Sequence, residues 1–124
     1  MIGYTTLGTN DLERAKGFYD AVLAPLGGRR TLVYERSLYY GNASRGAMLG
    51  ITLPFDGASQ SVGNGVMVAL SAESPEQIHA VHAAAIAAGA TCEGPPGDRG
   101  GGFYGAYFRD LDGNKLCVFK MGRG

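Results

Sequence analysis

The chemistry this sequence could do rests on few residues: two histidines, two cysteines, a pair of placed arginines and a glycine run. His79 and His82 stand three apart, a spacing that sets two imidazoles on one face of a helix and can chelate a cation. No aspartate, cysteine or third histidine is placed by the sequence to complete that set, so His79 is expected in solvent and His82 at a helix edge with its ring satisfied. Cys92 and Cys117 form no CxxC pair and are expected as free thiols. As a nucleophile Cys117 would need a neighbouring base, and neither histidine is expected beside it. Gly100 to Gly105 (GGGFYG) fits G-x-G-x-x-G literally. A dinucleotide fingerprint needs a strand before it and a helix after it, whereas here a loop precedes and a strand follows. Arg99 in that loop and Arg36 ahead of SLYYG are cations suited to a carboxylate or phosphate, or equally to solvent. Tyr39, Tyr40, Phe103, Tyr104 and Tyr107 lie in strand-like stretches, and alternation sends about half of them to each face. No Ser-His-Asp set and no pair of catalytic carboxylates can be assembled.

These residues must be positioned by elements that periodicity predicts. Residues 2–8 (IGYTTLG) read as a strand. A helix follows, with Asn10 and Glu13 at capping-box spacing and an apolar stripe of Leu12, Ala15, Phe18, Tyr19, Val22, Leu23 and Leu26. Pro25 and the Gly27-Gly28 pair stop it. TLVYE, SLYYG and AMLGITL then give three strands, and residues 54–64 a polar Gly/Ser-rich connector. The order repeats: a strand from Gly65, a helix capped by Ser74 and Gln77 with Pro75 at its first position, and the strands ATCEG, FYGAYFRD and NKLCVFK. Ile78, Val81, His82, Ala85 and Ile86 mark the buried side of the second helix. Two βαβββ units of this kind make an α+β chain whose sheets can curl around a cup, with a helix outside each. The expected division is a single domain over 1–124, with module one at 1–53, a linker at 54–64 and module two at 65–124.

Composition narrows the partners. Eleven basic and eleven acidic residues cancel, which removes bulk attraction to nucleic acid or anionic lipid. No apolar run approaches the roughly 18 residues of a membrane span, and the first residues lack the pattern of a secretory signal, so a cytoplasmic location is expected.

The stretches YTTLGTNDLERAKGFYDAVLAPLG, GVMVALSAESPEQIHAVHAAAIAAGA and DLDGNKLCVF together resemble the vicinal oxygen chelate superfamily of glyoxalase, bleomycin-resistance and extradiol-dioxygenase proteins. The last stretch is similar to that family's terminal D-P-D-G-N turn, with Leu111 in place of proline. The resemblance implies a cupped half-barrel and a small-molecule site in the cup. Metal-dependent members supply His, Glu, His and Glu from the first, fourth, fifth and eighth strands. Matched here, the first falls on Tyr4, the third on Met67 and the fourth on Cys117, while AMLGITL holds no acid, histidine or cysteine. A phenol, a thioether and a thiol are neutral at pH 7 and suit a hard divalent ion poorly. The resemblance therefore implies a ligand-binding cup with no metal and no cofactor, lined by Tyr4, Met67, Cys117, Phe119, Tyr40, Arg99, Tyr104 and Tyr107. A metal-dependent glyoxalase-type lyase or dioxygenase with rearranged ligands is the alternative. A homodimer is expected by analogy with similar proteins, with no nucleic-acid or membrane partner.

Overall fold

A computed structural model of the chain describes residues 1–122. Module one runs β1 (Tyr4–Gly8), α1 (Leu12–Leu23), a 3-10 turn (Ala24–Leu26), β2 (Arg29–Val33), β3 (Ser37–Gly41) and β4 (Met48–Thr52). Module two runs β5 (Val68–Ser71), α2 (Pro75–Ala87), β6 (Thr91–Asp98), β7 (Phe103–Arg109) and β8 (Lys115–Met121). Each module makes a four-stranded sheet, ordered β1-β4-β3-β2 and β5-β8-β7-β6. In both, the first strand pairs parallel with the last and the remaining pairs are antiparallel. The architecture is α+β, two βαβββ modules with cupped sheets and no closed barrel.

Local chemistry accounts for the boundaries and for four departures from the sequence-based expectation. Asp11, not Asn10, caps α1: its extended backbone aims the carboxylate at Arg14 N, 3.0 Å away. Asn10 is taken by the linker instead, where its Oδ1 accepts from Gln60 N at 2.7 Å. At α2 the expected cap holds, with Ser74 Oγ accepting from Gln77 N. α1 stops at Leu23, and the 3-10 turn carrying Pro25 ends on Gly27 at φ 74°, which a side chain would resist. β5 begins only at Val68, because its register with β8 starts at the Val68–Leu116 pair, and Gly65 at φ 91° breaks the extended run before it. β6 runs on through Pro95 and Pro96, which an edge strand with two register shifts tolerates. Ile86 is 40% exposed, since Ile78, Val81 and Ala85 already fill the buried side of α2 and Ile86 falls at its margin.

One apolar cluster joins the modules. α1 contributes Phe18, Tyr19 and Val22, α2 contributes Ile78, Val81 and Ala85, and the sheets contribute Ile51, Phe108, Leu116 and Val118. Truncating a fully buried ring such as Phe108 to alanine costs about 3–5 kcal/mol. Polar closure of the joint comes from the turn before β8. Asp110 Oδ2 accepts from Tyr19 of α1 at 2.5 Å, Asn114 Nδ2 donates to Gly8 O of β1 at 2.9 Å, and Arg14 of α1 pairs with Asp112 at 2.9 Å.

Candidate functional site

Strand alternation decides which side chains can meet a ligand. In module two, Leu116, Val118 and Phe108 face the helix and are fully buried. Their neighbours turn to the open face, where register places Cys117 beside Tyr107 and Ala69, and Phe119 beside Gly105 and Ser71. Gly105 leaves the space that Phe103 needs: a Cβ there would stand 2.7 Å from its ring, which stacks parallel on Phe119 at 5.4 Å between centroids.

Tyr107 is the centre of this face. The Arg99 guanidinium and the Lys115 ammonium each lie 5.6 Å from its ring centroid. Arg99 rests on bare backbone, with its nitrogens where a Cβ on Gly94 or Gly97 would be, 3.2 and 2.9 Å away, and it donates to Pro95 O at 2.6 Å. The loop Gly100–Gly102, at φ 92°, 64° and 83°, turns β6 into β7, and Arg99 N donates to Phe103 O at its neck. Cys117 is 1% exposed. Burial pushes its thiol up from the usual value, while Tyr107, Arg99 and Lys115 pull it partly back, so it is held as the neutral thiol. Next to Lys115, a cavity of about 590 Å³ opens between residues 62–67, Met67 included, and Arg109, whose guanidinium is paired with Glu93 at 3.5 Å.

The open face of module one carries a cluster of tyrosines. Tyr4 and Tyr34 both meet Tyr39 edge-on, at 5.3 and 6.0 Å, and the Tyr39 ring covers Gly50. Tyr40 and Tyr104 lie on the opposite faces of their sheets. Tyr40 is 2% exposed under α1 and donates to Asp20 at 2.8 Å, and the Tyr104 hydroxyl lies 2.8 Å from His79 Nε2 on α2. In each aromatic pair the first residue, Tyr39 or Phe103, takes the open face. Arg36 is spent on Pro54 O at 2.5 Å.

The positions that the family resemblance matches to metal ligands can be tested on their donors. Tyr4 pairs with Met48 across β1 and β4, so the fourth strand presents Met48, Gly50 and Thr52 on the open face. With Tyr4, Met67 and Cys117 this set has no imidazole and no carboxylate, and its thiol is made less acidic by burial. These residues do not fit a hard divalent ion. Among the described residues no group of three or more His, Cys, Asp or Glu side chains is placed to hold a metal.

One proximity is absent from the sequence-based expectation. Cys92 Sγ lies 3.3 Å from His82 Nε2, on the helix side of module two, and burial together with His79 lowers the His82 pKa. The residues are ten apart with a helix end and a turn between them, and only the packing of β6 against α2 brings them together.

Comparisons with known proteins agree with this architecture. Residues 1–118 match the family model of the Glyoxalase/Bleomycin resistance protein/Dioxygenase superfamily. A glyoxalase/bleomycin resistance protein from Albidiferax ferrireducens is 42% identical, with 98% of this chain and 99% of that one covered, at a TM-score of 0.90. A glyoxalase/bleomycin resistance protein/dioxygenase family enzyme from Burkholderia phytofirmans is 19% identical, covering 97% and 98%, at 0.77. A lactoylglutathione lyase from Agrobacterium tumefaciens is 20% identical, covering 97% and 92%, at 0.69, and at that identity shares the fold alone. No curated protein matches the sequence. The chain belongs to the glyoxalase/bleomycin resistance protein/dioxygenase superfamily.

Proposed function

We propose that this member of the superfamily binds a small molecule in its cup without the family's metal site. The donor set supports the reading: at the positions the resemblance matches to the family's His, His and Glu, the chain has Tyr4, Met67 and Cys117, and β4 adds only Met48, Gly50 and Thr52 on that face. The residues proposed to meet the ligand are Tyr4, Met67, Arg99, Tyr107 and Phe119, with the buried Cys117 beneath Tyr107; Tyr40 and Tyr104, turned toward the helices, support the sheets from behind. Exposed Tyr4, Leu32, Val33 and Tyr34 on module one suit a second copy of the chain as cover, in keeping with a single-domain, cytoplasmic homodimer. No helix among the described residues is long and apolar enough to cross a membrane.

The test is elemental analysis of untagged protein after exposure to Ni, Zn, Mn and Fe(II) and gel filtration, together with a thermal-shift screen of metabolites. Sub-stoichiometric metal with at least one stabilising metabolite is expected, because a ligand that binds only the native state raises apparent stability. Near-stoichiometric metal lost on Cys117→Ala would instead establish the metal-dependent alternative.

A further inference from the structure

Among the described residues, neither cation at the Tyr107 ring forms a salt bridge. The four salt bridges among the described residues use Arg14, Lys16, Arg30 and Arg109, and neither Arg99 nor Lys115 takes part in one. Asp98, the acid next to Arg99 in sequence, is committed to Gly100 N at 2.7 Å, and Glu93 is committed to Arg109. Two cations on one aromatic ring make this part of the open face electropositive and attractive to an anion.

Arg99 is also held in place before any ligand arrives. Two glycines give its guanidinium a flat bed, Pro95 O takes one N–H, and the Tyr107 ring lies against it. A pre-placed planar fork loses little freedom when it closes on an oxyanion, and its other N–H groups remain to donate. Alongside are flat apolar surfaces, the parallel Phe103 and Phe119 rings, and beyond Lys115 the cavity of about 590 Å³. That volume lies within the range of small-molecule sites.

We infer that the open face of module two takes a planar organic anion, its carboxylate or phosphate seated by Arg99 and Lys115 at the Tyr107 ring. The inference rests on the cup-binding reading above and gives that site its ligand class. Arg99 supplies the directional donors, Lys115 the point charge at the mouth of the cavity, and the aromatic rings the surface for the planar body. The buried, neutral Cys117 beneath them completes the floor without opposing a negative charge.

Titration calorimetry with three probes of one shape tests this: benzoate, phenyl phosphate and the neutral benzamide. Wild-type protein is expected to prefer the anions, the stronger of the two naming the source of the oxyanion, with affinity falling as salt is added. Arg99→Gln and Lys115→Gln should each weaken the preferred anion about tenfold or more, as loss of a charged hydrogen bond does, and leave benzamide unchanged. Arg36→Gln, on module one, should have no effect, and unchanged melting temperatures show that the variants fold. If benzamide binds as well as the anions and the Arg99 and Lys115 variants are indifferent, the anion seat is overturned while the cup-binding reading stands. If none of the three probes binds at millimolar concentrations, both are overturned.

Discussion

The turn before β8 and the loop before β4 occupy equivalent places in the two modules and hold different partners. Asp110 is 6% exposed and accepts four bonds: Asp112 N and Asn114 N on Oδ1, Tyr19 Oη and Asn114 Nδ2 on Oδ2. Two of its neighbours, Asn114 and Asp112, reach Gly8 and Arg14, so the turn fastens module two to β1 and α1 of module one. Asn42, at the matching place in module one, is exposed and stays local. Its Oδ1 accepts from Ser44 N and Oγ, and its Nδ2 donates to Leu26 O at the end of the 3-10 turn in its own module. Of the two equivalent turns, only the one before β8 thus reaches across to the other module. The buried copy has to satisfy every group it covers, while the exposed copy can leave that to water.

Breaking the joint should therefore have the largest effect. Asp110→Ala strands the Tyr19 hydroxyl and two backbone N–H groups, and a loss of about 3–5 kcal/mol is expected in urea unfolding. A loss under about 1 kcal/mol would show that the modules do not depend on this turn.

Alkali is the second way in. Burial, then the Asp110 charge, holds the Tyr19 phenol well above its ordinary value of 10.0. In the unfolded chain it ionises near that value and in the folded chain it does not. Its contribution is therefore complete below about pH 10 and is lost as pH rises further. Tyr40, raised by burial and its bond to Asp20, acts in the same direction within module one. Stability should fall ever more steeply as pH rises above about 10, and Tyr19→Phe and Tyr40→Phe should each flatten the slope. An unchanged slope in both variants would mean that neither phenol is excluded from ionising.

Asn42→Ala is expected to cost about 1 kcal/mol, since its partners are exposed and water replaces it. A value equal to that for Asp110→Ala would erase the contrast between the two turns. Arg14→Ala should also cost about 1 kcal/mol: the Arg14–Asp112 pair spans the modules and the Asp112 side chain is 5% exposed, but Arg14 is nearly half exposed and water can take its place.

Much of the fold was legible because apolar period and turn residues are local. Both helices, the eight strands and their repeated order follow from spacing alone, and DLDGN announced the turn that became the joint. The caps show the limit. Asn10 and Asp11 are both good N-caps, and the choice fell to Asp11 because Gln60, fifty residues on, takes Asn10. The Tyr39-Tyr40 and Phe103-Tyr104 pairs show it again. Two adjacent aromatics fit either parity, and the face is settled by what lies underneath: Asp20 for Tyr40, His79 for Tyr104.

What the sequence by itself determined is the βαβββ repeat, its family, and the absence of a carboxylate at Tyr4, Met67 and Cys117. Those follow from residue identity and short spacing. What only the tertiary structure decided is the company each side chain keeps: Arg99 laid on Gly94 and Gly97, Lys115 and Arg99 converging on Tyr107, Cys92 beside His82, Asp110 beneath Tyr19. Hydrophobic period tells a strand which side is buried. The identity of the neighbour across that strand is set by register and sheet packing, which depend on the whole chain.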